Sequence, residues 1–526
     1  MVEIIKADKV CGWDMTQLQR DVYEQKYRHH GESFEEFLNR VSGGNYAIKE
    51  LIRSKKIMPA GRILSNRGLS KLGKKVTLSN CYVMTPPEDN LESIFGVAGK
   101  LARTYSYGGG CGVDIGKLRP MNSVVNNNAL TTSGSTSFMQ LYSTTTSIIG
   151  QKGRRGALMI SIPCDHPDLE AFIDIKNDLN SVTTANISIR FFNDFMEAVV
   201  SDSEYKLYFM VEDTGQEISK VVRARDVFRK FCINNHDNAE PGAIFWDRIE
   251  DWNIVSNDDE FTFAGVNPCA EEPLPKDGSC LLTSINLAEF VTNPFTEHAQ
   301  FDYVGFSEVV KEGVIFLNEV LDEGLPLHPL EEQRKTASDW RQIGLGIMGL
   351  ADMLIKLGVA YGSPHSLEIS SLVSQCMGDS ALEQSALLAK EQGAYPKYKE
   401  DAVLSSEYVC STASIETMGL IKEYGLRNSQ LLTIAPTGSL STMLGISGGI
   451  EPIFNISYTR NTKSLNDGED SFYEVFTPIA SEYMEKKGLT KDEISDIVVT
   501  SSTLDYGNRL EMQSVWQSAI DASISS

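Results

Sequence analysis

Asn267-Pro268-Cys269-Ala270-Glu271, followed closely by Cys280-Leu281-Leu282-Thr283-Ser284-Ile285-Asn286-Leu287, is the most informative stretch of the chain. Pro268, Pro273, Pro275 and Gly278 read as a loop, and within it an amide, a thiol and a carboxylate occupy alternate positions. In extended backbone, residues two apart share a face, so Asn267, Cys269 and Glu271 can be aimed together at one substrate. A hydrolytic cysteine needs a histidine base to become a thiolate. A neighbouring carboxylate does the opposite: it raises the thiol pKa and keeps the proton on sulfur. A protonated thiol is a good hydrogen-atom donor, which points to radical chemistry. In isolation, Asn-x-Cys-x-Glu is more often a structural thiol beside a solvated acid, so the surrounding sequence has to decide.

Outward from this stretch, the chain has 526 residues, 41% of them hydrophobic and 23% charged, enough for one large domain or several. Its 48 basic and 71 acidic residues leave a net charge of -23, which argues against a general nucleic-acid binder but not against a single nucleotide held by backbone amides. No apolar run approaches the roughly 18 to 20 residues of a membrane span, and the N-terminus lacks a signal-peptide core, so a cytoplasmic location is expected. The nine cysteines follow no dense framework spacing, as in a reducing compartment. The seven histidines form no His-Glu-x-x-His and no Cys-x-x-Cys occurs, so no metal site is expected.

Near the start, Asp14 and Thr16 precede an amphipathic stretch, and Ser33 with Glu36 makes a capping box before Phe34, Phe37, Leu38 and Val41. This predicts a small helical region over 1–57. From 58 to 526, strand-like runs at Ala157–Ile162 and Ile187–Phe192 alternate with helical runs such as His166–Ile175, the rhythm of an α/β fold. Apolar spacing predicts helices over Ser307–Leu321, ending at Gly324, and over Ile343, Ile347, Leu350 and Leu354. Gly344, Gly346 and Gly349 weaken the latter by about 1 kcal/mol each and imply close packing against a neighbouring backbone. Thr462–Asp470 reads as an exposed loop. Gly108–Gly112 lacks P-loop spacing and reads as a tight strand-to-loop approach, with Cys111 structural.

Several motifs in order carry a resemblance running from about Met58 to the C-terminus: Met58-Pro59-Ala60-Gly61-Arg62, Leu78-Ser79-Asn80-Cys81-Tyr82, Gly108-Gly109-Gly110-Cys111-Gly112, Gln151-Lys152-Gly153-Arg154-Arg155-Gly156-Ala157, the Asn267–Glu271 loop, and Ala435-Pro436-Thr437-Gly438-Ser439-Leu440-Ser441 with Gly448-Gly449-Ile450-Glu451-Pro452. Together they resemble the ribonucleotide reductase large subunit, which makes deoxyribonucleotides for DNA synthesis. The resemblance implies a ten-stranded α/β barrel with a central finger loop, here about 264–280, behind the N-terminal helical region.

It also implies roles. Cys269 would be the thiyl radical that abstracts the 3'-hydrogen of the ribose, Glu271 would take the 3'-hydroxyl proton, and Asn267 would orient the 2' and 3' oxygens. Cys81 and Cys280 would supply the reducing equivalents and finish as a disulfide, which requires Cα atoms about 4.4 to 6.8 Å apart. Ser79, Asn80, Ala435, Pro436, Thr437, Gly438, Ser439 and Ser441 would bind substrate, with hydroxyls and a glycine opening a helix towards the phosphate. Gln151, Lys152, Arg154 and Arg155 would relay the identity of a deoxynucleotide effector. Met58–Arg62 and Gly449-Ile450-Glu451-Pro452-Ile453-Phe454 look more like class II, which implies adenosylcobalamin; a metal-containing partner subunit is the class I alternative.

The implied partners are a di- or triphosphate ribonucleotide, an external dithiol of thioredoxin or glutaredoxin type, and a second copy of the chain. The end at Arg509–Gln513 and Asp521–Ser526 resembles a point where the family continues into a last strand and a cysteine-bearing tail, which implies either that another polypeptide reduces the disulfide or that the chain is one piece of a split or truncated enzyme whose C-terminal part a second polypeptide supplies. The short N-terminus leaves little room for an ATP-cone. A glycyl-radical enzyme would want an Arg-Val-x-Gly-Tyr type stretch near the end, which is not found. A noncatalytic nucleotide-binding paralogue would keep these cysteines only for packing.

Overall fold

The structure, a computed structural model, describes residues 8–9, 13–126, 128–149, 156–462 and 470–526. Helices α1 (Gln17–Val22), α2 (Phe34–Ser42) and α3 (Tyr46–Arg53) open the chain. Each has a side-chain cap: Thr16 and Ser33 complete capping boxes with Gln19 and Glu36, and Asn45 accepts from the Ile48 amide. Their apolar faces, including Leu18, Phe37, Leu38, Val41 and Ile52, join one large core with residues from the rest of the chain.

Strands β1 (Ile57–Pro59), β2 (Cys81–Val83), β3 (Gly110–Asp114), β4 (Leu158–Pro163), β5 (Asn186–Phe191) and β6 (Gly242–Phe245) come next. β2 to β6 run parallel, in chain order across the sheet. Every residue of β4 is buried, as a parallel strand covered on both faces requires. Each of its large apolar side chains, such as Ile160 and Ile162, contributes about 1.5 to 3 kcal/mol by burial.

Strands β7 (Phe263–Val266) and β8 (Pro273–Pro275) form an antiparallel hairpin. The expected finger is therefore a paired ribbon with a turn at its tip. Pro273 and Pro275 are accommodated because a two-stranded ribbon leaves half of its backbone donors without ladder duty. β9 (Ser279–Cys280) then pairs antiparallel with β2 and closes that edge of the six-stranded sheet. One residue later β10 (Leu282–Asn286) belongs to a second sheet, antiparallel to β1 and parallel to β11 (Gly344–Met348). Bridges Leu345↔Leu432 and Ile434↔Ile524 extend it. The fold is mixed α/β, and among the described residues no sheet closes on itself.

β11 corrects one expectation. Ile343 to Leu354 is not a single helix: Gly344–Met348 is a strand, followed by helix α4 (Leu350–Leu357). The close approach implied by the glycines does exist, since a Cβ on Gly346 would stand 2.2 Å from the Thr433 carbonyl oxygen and one on Gly344 would stand 2.4 Å from Glu272 Oε1. The helix expected over Ser307–Leu321 lies within α5 (Tyr303–Gly324). Thr462–Asp470 falls mostly outside the described residues. No described helix is long and apolar enough to cross a membrane.

Candidate active site

The finger crosses the six-stranded sheet at Gly112, where a Cβ would come 1.8 Å from the Val266 carbonyl oxygen. Only glycine lets the ribbon lie that close to β3. At the tip the backbone folds back on itself: the Ala270 amide donates to the Asn267 carbonyl at 3.0 Å, the Glu272 amide to Asn267 Oδ1 at 3.1 Å, and the Asn267 amide to the Glu272 carbonyl at 3.1 Å. Ala270 takes the left-handed conformation at φ 63°. The tip is thus a turn, not the extended backbone that would align Asn267, Cys269 and Glu271 on one face. Two outer contacts hold it, with Thr433 Oγ1 and the Ser523 amide both donating to the Glu271 carbonyl at 2.7 and 3.0 Å.

The turn pushes Cys269 outward and Glu271 inward, yet both border one cavity of about 430 Å³, a size suited to a small ligand. Asn80 and Cys81 line it from the β2 end. On the far side stand Ala435, Pro436, Thr437, Gly438 and Ser439. Thr437, at φ 51°, precedes the helix α6 (Gly438–Leu444), so the first-turn amides lack intrahelical acceptors and are turned to the same side. Lys26, from the N-terminal region, also lines the cavity and donates to Ser439 Oγ at 3.1 Å.

Electrostatics follow from burial. The Cys269 thiol, though open to the cavity, is desolvated enough to be pushed up to about 12, with the Glu271 charge a smaller cause. It stays protonated at neutral pH. Glu271 is fully enclosed, and burial raises its carboxyl to about 7 against the opposing hydrogen bond from Asn267. It can therefore hold or release a proton near neutrality. Cys81 is also pushed well up, by burial first and then by Glu271 and Cys269.

Cys280 does not line the cavity. It lies behind Cys81, paired with it in register across β9 and β2, a relation that places the Cα atoms of opposite antiparallel residues about 4.5 to 5.5 Å apart. Asn267 is buried and occupied: its Oδ1 holds the turn and its Nδ2 donates to Cys81 Sγ at 3.3 Å. Ser79 and Ser441 are buried beside the cavity, Ser79 against Thr77 and Ser441 within α6. Gln151, Lys152, Arg154 and Arg155 lie outside the described residues, between the cavity-lining Ile149 and Gly156. Sequence reasoning missed Lys26, Tyr27 and Tyr105 in the lining, because none carries a local signal of the distant segment it meets, and it named Arg62 only within the Met58–Arg62 motif and gave it no place in the site. Among the described residues no group of acidic, histidine or cysteine side chains could hold a metal ion.

A family model of the ribonucleotide reductase barrel domain matches residues 79–525. A vitamin B12-dependent ribonucleoside-diphosphate reductase of Thermoplasma acidophilum is 33% identical over 516 residues, covering 94% of this chain and 63% of the relative. One of Mycobacterium tuberculosis is 32% identical over 412 residues, covering 78% and 55%. The ribonucleoside-diphosphate reductase large subunit of Variola virus is 25% identical over 494 residues, covering 87% and 62%. The chain thus spans less than two thirds of the length of each of these relatives.

Proposed function

This chain belongs to the ribonucleotide reductase barrel-domain family, and from that premise we propose that it reduces ribonucleoside di- or triphosphates to 2'-deoxyribonucleotides by thiyl-radical chemistry. The observation that supports this most is the convergence of Cys81, Cys269 and Glu271 on one cavity, with Cys280 in register directly behind Cys81. Five parallel strands and a second sheet that bridges extend to five segments are read as the halves of a ten-stranded barrel around the finger, preceded by the helical region 1–57.

In this proposal the substrate phosphates sit against the Thr437–Ser439 turn and Lys26, and the ribose lies over Cys269. As a thiyl, Cys269 takes the 3'-hydrogen. Glu271, poised near neutrality, accepts the 3'-hydroxyl proton and so eases departure of the 2'-hydroxyl as water. Cys81 and Cys280 together give up two hydrogens and become a disulfide, so that ribonucleotide and dithiol yield deoxyribonucleotide, disulfide and water. Asn267 acts by holding the tip and the Cys81 sulfur; Asn80, the residue just before β2, faces the cavity and contacts the substrate.

The B12 dependence that two of the relatives carry in their names supports adenosylcobalamin as the radical source. Beside Cys269 the wall is made of Gly109, Gly110, Gly156, Ala157 and Pro268, small or uncharged residues that let a bulky group come close to the thiol, and Gly110 abuts Pro268. When bound, that cofactor supplies a carbon-centred radical. A deoxynucleotide effector, a thioredoxin-type dithiol and a homodimer complete the proposal. The test is reduction of CDP and CTP with dithiothreitol, with and without adenosylcobalamin. Cobalamin-dependent deoxynucleotide is expected; activity only with a metal-bearing partner would move the radical source there, and nucleotide binding without any turnover in either mixture would sink the reading.

A further inference from the structure

Glu272 follows Glu271 in the finger but points elsewhere. Its side chain is fully buried behind the cavity and has no part of its own in the proposed reduction of substrate. One carboxyl oxygen, Oε2, accepts from Gln430 Nε2. The other, Oε1, is buried without a well-formed hydrogen bond and lies over Gly344, whose missing Cβ makes room for it. The Gly344 amide donates to the Leu281 carbonyl at 2.8 Å, and the Cys280 thiol points to that same carbonyl at 3.5 Å. Carboxyl and thiol thereby flank the same Leu281–Gly344 link, and each acts on the other's ionisation. An enclosed carboxyl with one oxygen short of a hydrogen bond is costly when charged, which favours its protonated form.

We propose that Glu272 is the proton donor to the Cys280 sulfur when an external dithiol reopens the Cys81–Cys280 disulfide. This rests on the reductase reading above. Cys81 borders the cavity, whereas Cys280 is fully enclosed, so an incoming thiolate reaches the Cys81 sulfur. A bond forms between the reductant and Cys81, the bond between Cys81 and Cys280 breaks, and Cys280 leaves with the electron pair. A buried thiolate is a poor leaving group. Transfer of the Glu272 proton turns it into a neutral thiol and leaves the charge on the carboxylate. The reductant's second thiol then displaces Cys81, and the protons lost by the reductant restore Cys81 and, through solvent, Glu272. The dithiol is oxidised and the protein disulfide reduced.

The proton is available at neutral pH because burial, Glu271 and Asp521 hold the Glu272 carboxyl well above the usual carboxylate range, outweighing Cys280 and Gln430. The ionisable groups that act on it include Cys280, Glu271, Asp521 and Cys81, and Cys81 and Glu271 act on Cys280 as well.

The test needs neither cofactor nor turnover. The intact chain is oxidised, the Cys81–Cys280 disulfide is verified by peptide mass, and its reduction by dithiothreitol is timed from about pH 6 to about pH 9. Glu272→Gln, which keeps the shape, is expected to slow reduction on the order of tenfold or more and, with rates divided by the thiolate fraction of dithiothreitol, to remove the fall at high pH that loss of the Glu272 proton produces in the unaltered chain. An unchanged rate and profile overturns the inference while leaving the reductase reading intact. A second measurement uses the unaltered protein: a monothiol such as glutathione should be trapped on Cys81, and trapping on Cys280 overturns the inference. If no Cys81–Cys280 disulfide forms on oxidation, the reductase reading fails, and this inference with it.

Discussion

Cys81 and Cys280 stand directly opposite each other on antiparallel strands although 198 intervening residues separate them in the chain. Both are free thiols here, and β9 holds Cys280 at the junction where the chain leaves one sheet for the other. A pair so placed meets the geometric demand of a disulfide without moving either strand. One turnover without external reductant is expected to consume the thiols of Cys81 and Cys280 together, and Cys81→Ser or Cys280→Ser should each stop multiple turnover. Differential alkylation with peptide mapping checks this; loss of thiols at any other pair contradicts it.

Glu271→Gln is expected to lower turnover by about 10²- to 10⁴-fold, the usual contribution of a positioned base. Because burial lifts this carboxyl to about 7, the wild-type rate should rise with pH through that value. Cys269 does not limit the profile, since its thiol holds its proton up to about 12. The measurement is a pH profile of deoxynucleotide formation in both proteins, the variant losing the rise.

The same carboxyl has a stability consequence. Between its ordinary value of 4.5 and about 7 the folded chain binds the Glu271 proton more tightly than the unfolded chain does, so stability falls as pH rises through that window. The penalty is absent below the window, complete above it, and on the order of 3 kcal/mol. Glu271→Gln should therefore be more stable relative to wild type at pH near 8 than at pH near 4.5, read by thermal unfolding at the two pH values. Asp521, also lifted to about 7 by burial, contributes with the same sign in both proteins and does not disturb the comparison.

Much of this site is legible in residue types and little of it in local pattern. Cys269 beside Glu271 announces a protonated thiol. Strands β4 and β5 and helix α5 follow from apolar spacing alone, as does the Ser33 capping box. Ile343–Leu354 misleads because its apolar residues satisfy a helical period while Gly344, Gly346 and Met348 satisfy period two. The deciding contact, the Thr433 carbonyl against Gly346, comes from a segment far along the chain that bridges to β11 at Leu432. Asn267 misleads for a related reason: an asparagine two residues before a thiol can face a ligand or cap a turn, and the 3.1 Å bond from the Glu272 amide shows which demand won. Lys26 and Glu272 matter only through the segments folded against them, which no window of sequence contains.

Gly112 tests whether the finger must lie hard against β3. A Cβ there meets the Val266 carbonyl, a backbone atom that cannot rotate away, so Gly112→Ala is expected to cost about 1 to 3 kcal/mol or more by overpacking and to displace Cys269 along with the ribbon. Gly96, within the helix Leu91–Tyr107, has nothing within 4 Å of where a Cβ would stand. Gly96→Ala should instead stabilise by roughly 0.5 to 1 kcal/mol. Paired unfolding curves check both, and a Gly112→Ala chain as stable as wild type contradicts the packing.

Lys26 provides the last expectation. It donates to Ser439 Oγ at 3.1 Å, at the start of α6, where first-turn amides and a positive end of the helix dipole already favour an anion. A lysine there adds a point charge to the hydroxyls and backbone of the Thr437–Ser439 turn, while Cys269 and Glu271 lie on the finger opposite. Lys26→Met keeps an unbranched stem and removes the ammonium, with its charge and its bond to Ser439, so nucleotide binding should weaken on the order of tenfold, comparable to one charge-assisted hydrogen bond. The loss should be larger for a triphosphate or diphosphate than for the nucleoside and should shrink as salt is raised. Because the interaction is made equally in ground and transition states, KM should rise with kcat nearly unchanged. A variant that loses kcat and keeps its affinity would place Lys26 in the folding of the N-terminal helices against α6 and not at the phosphate.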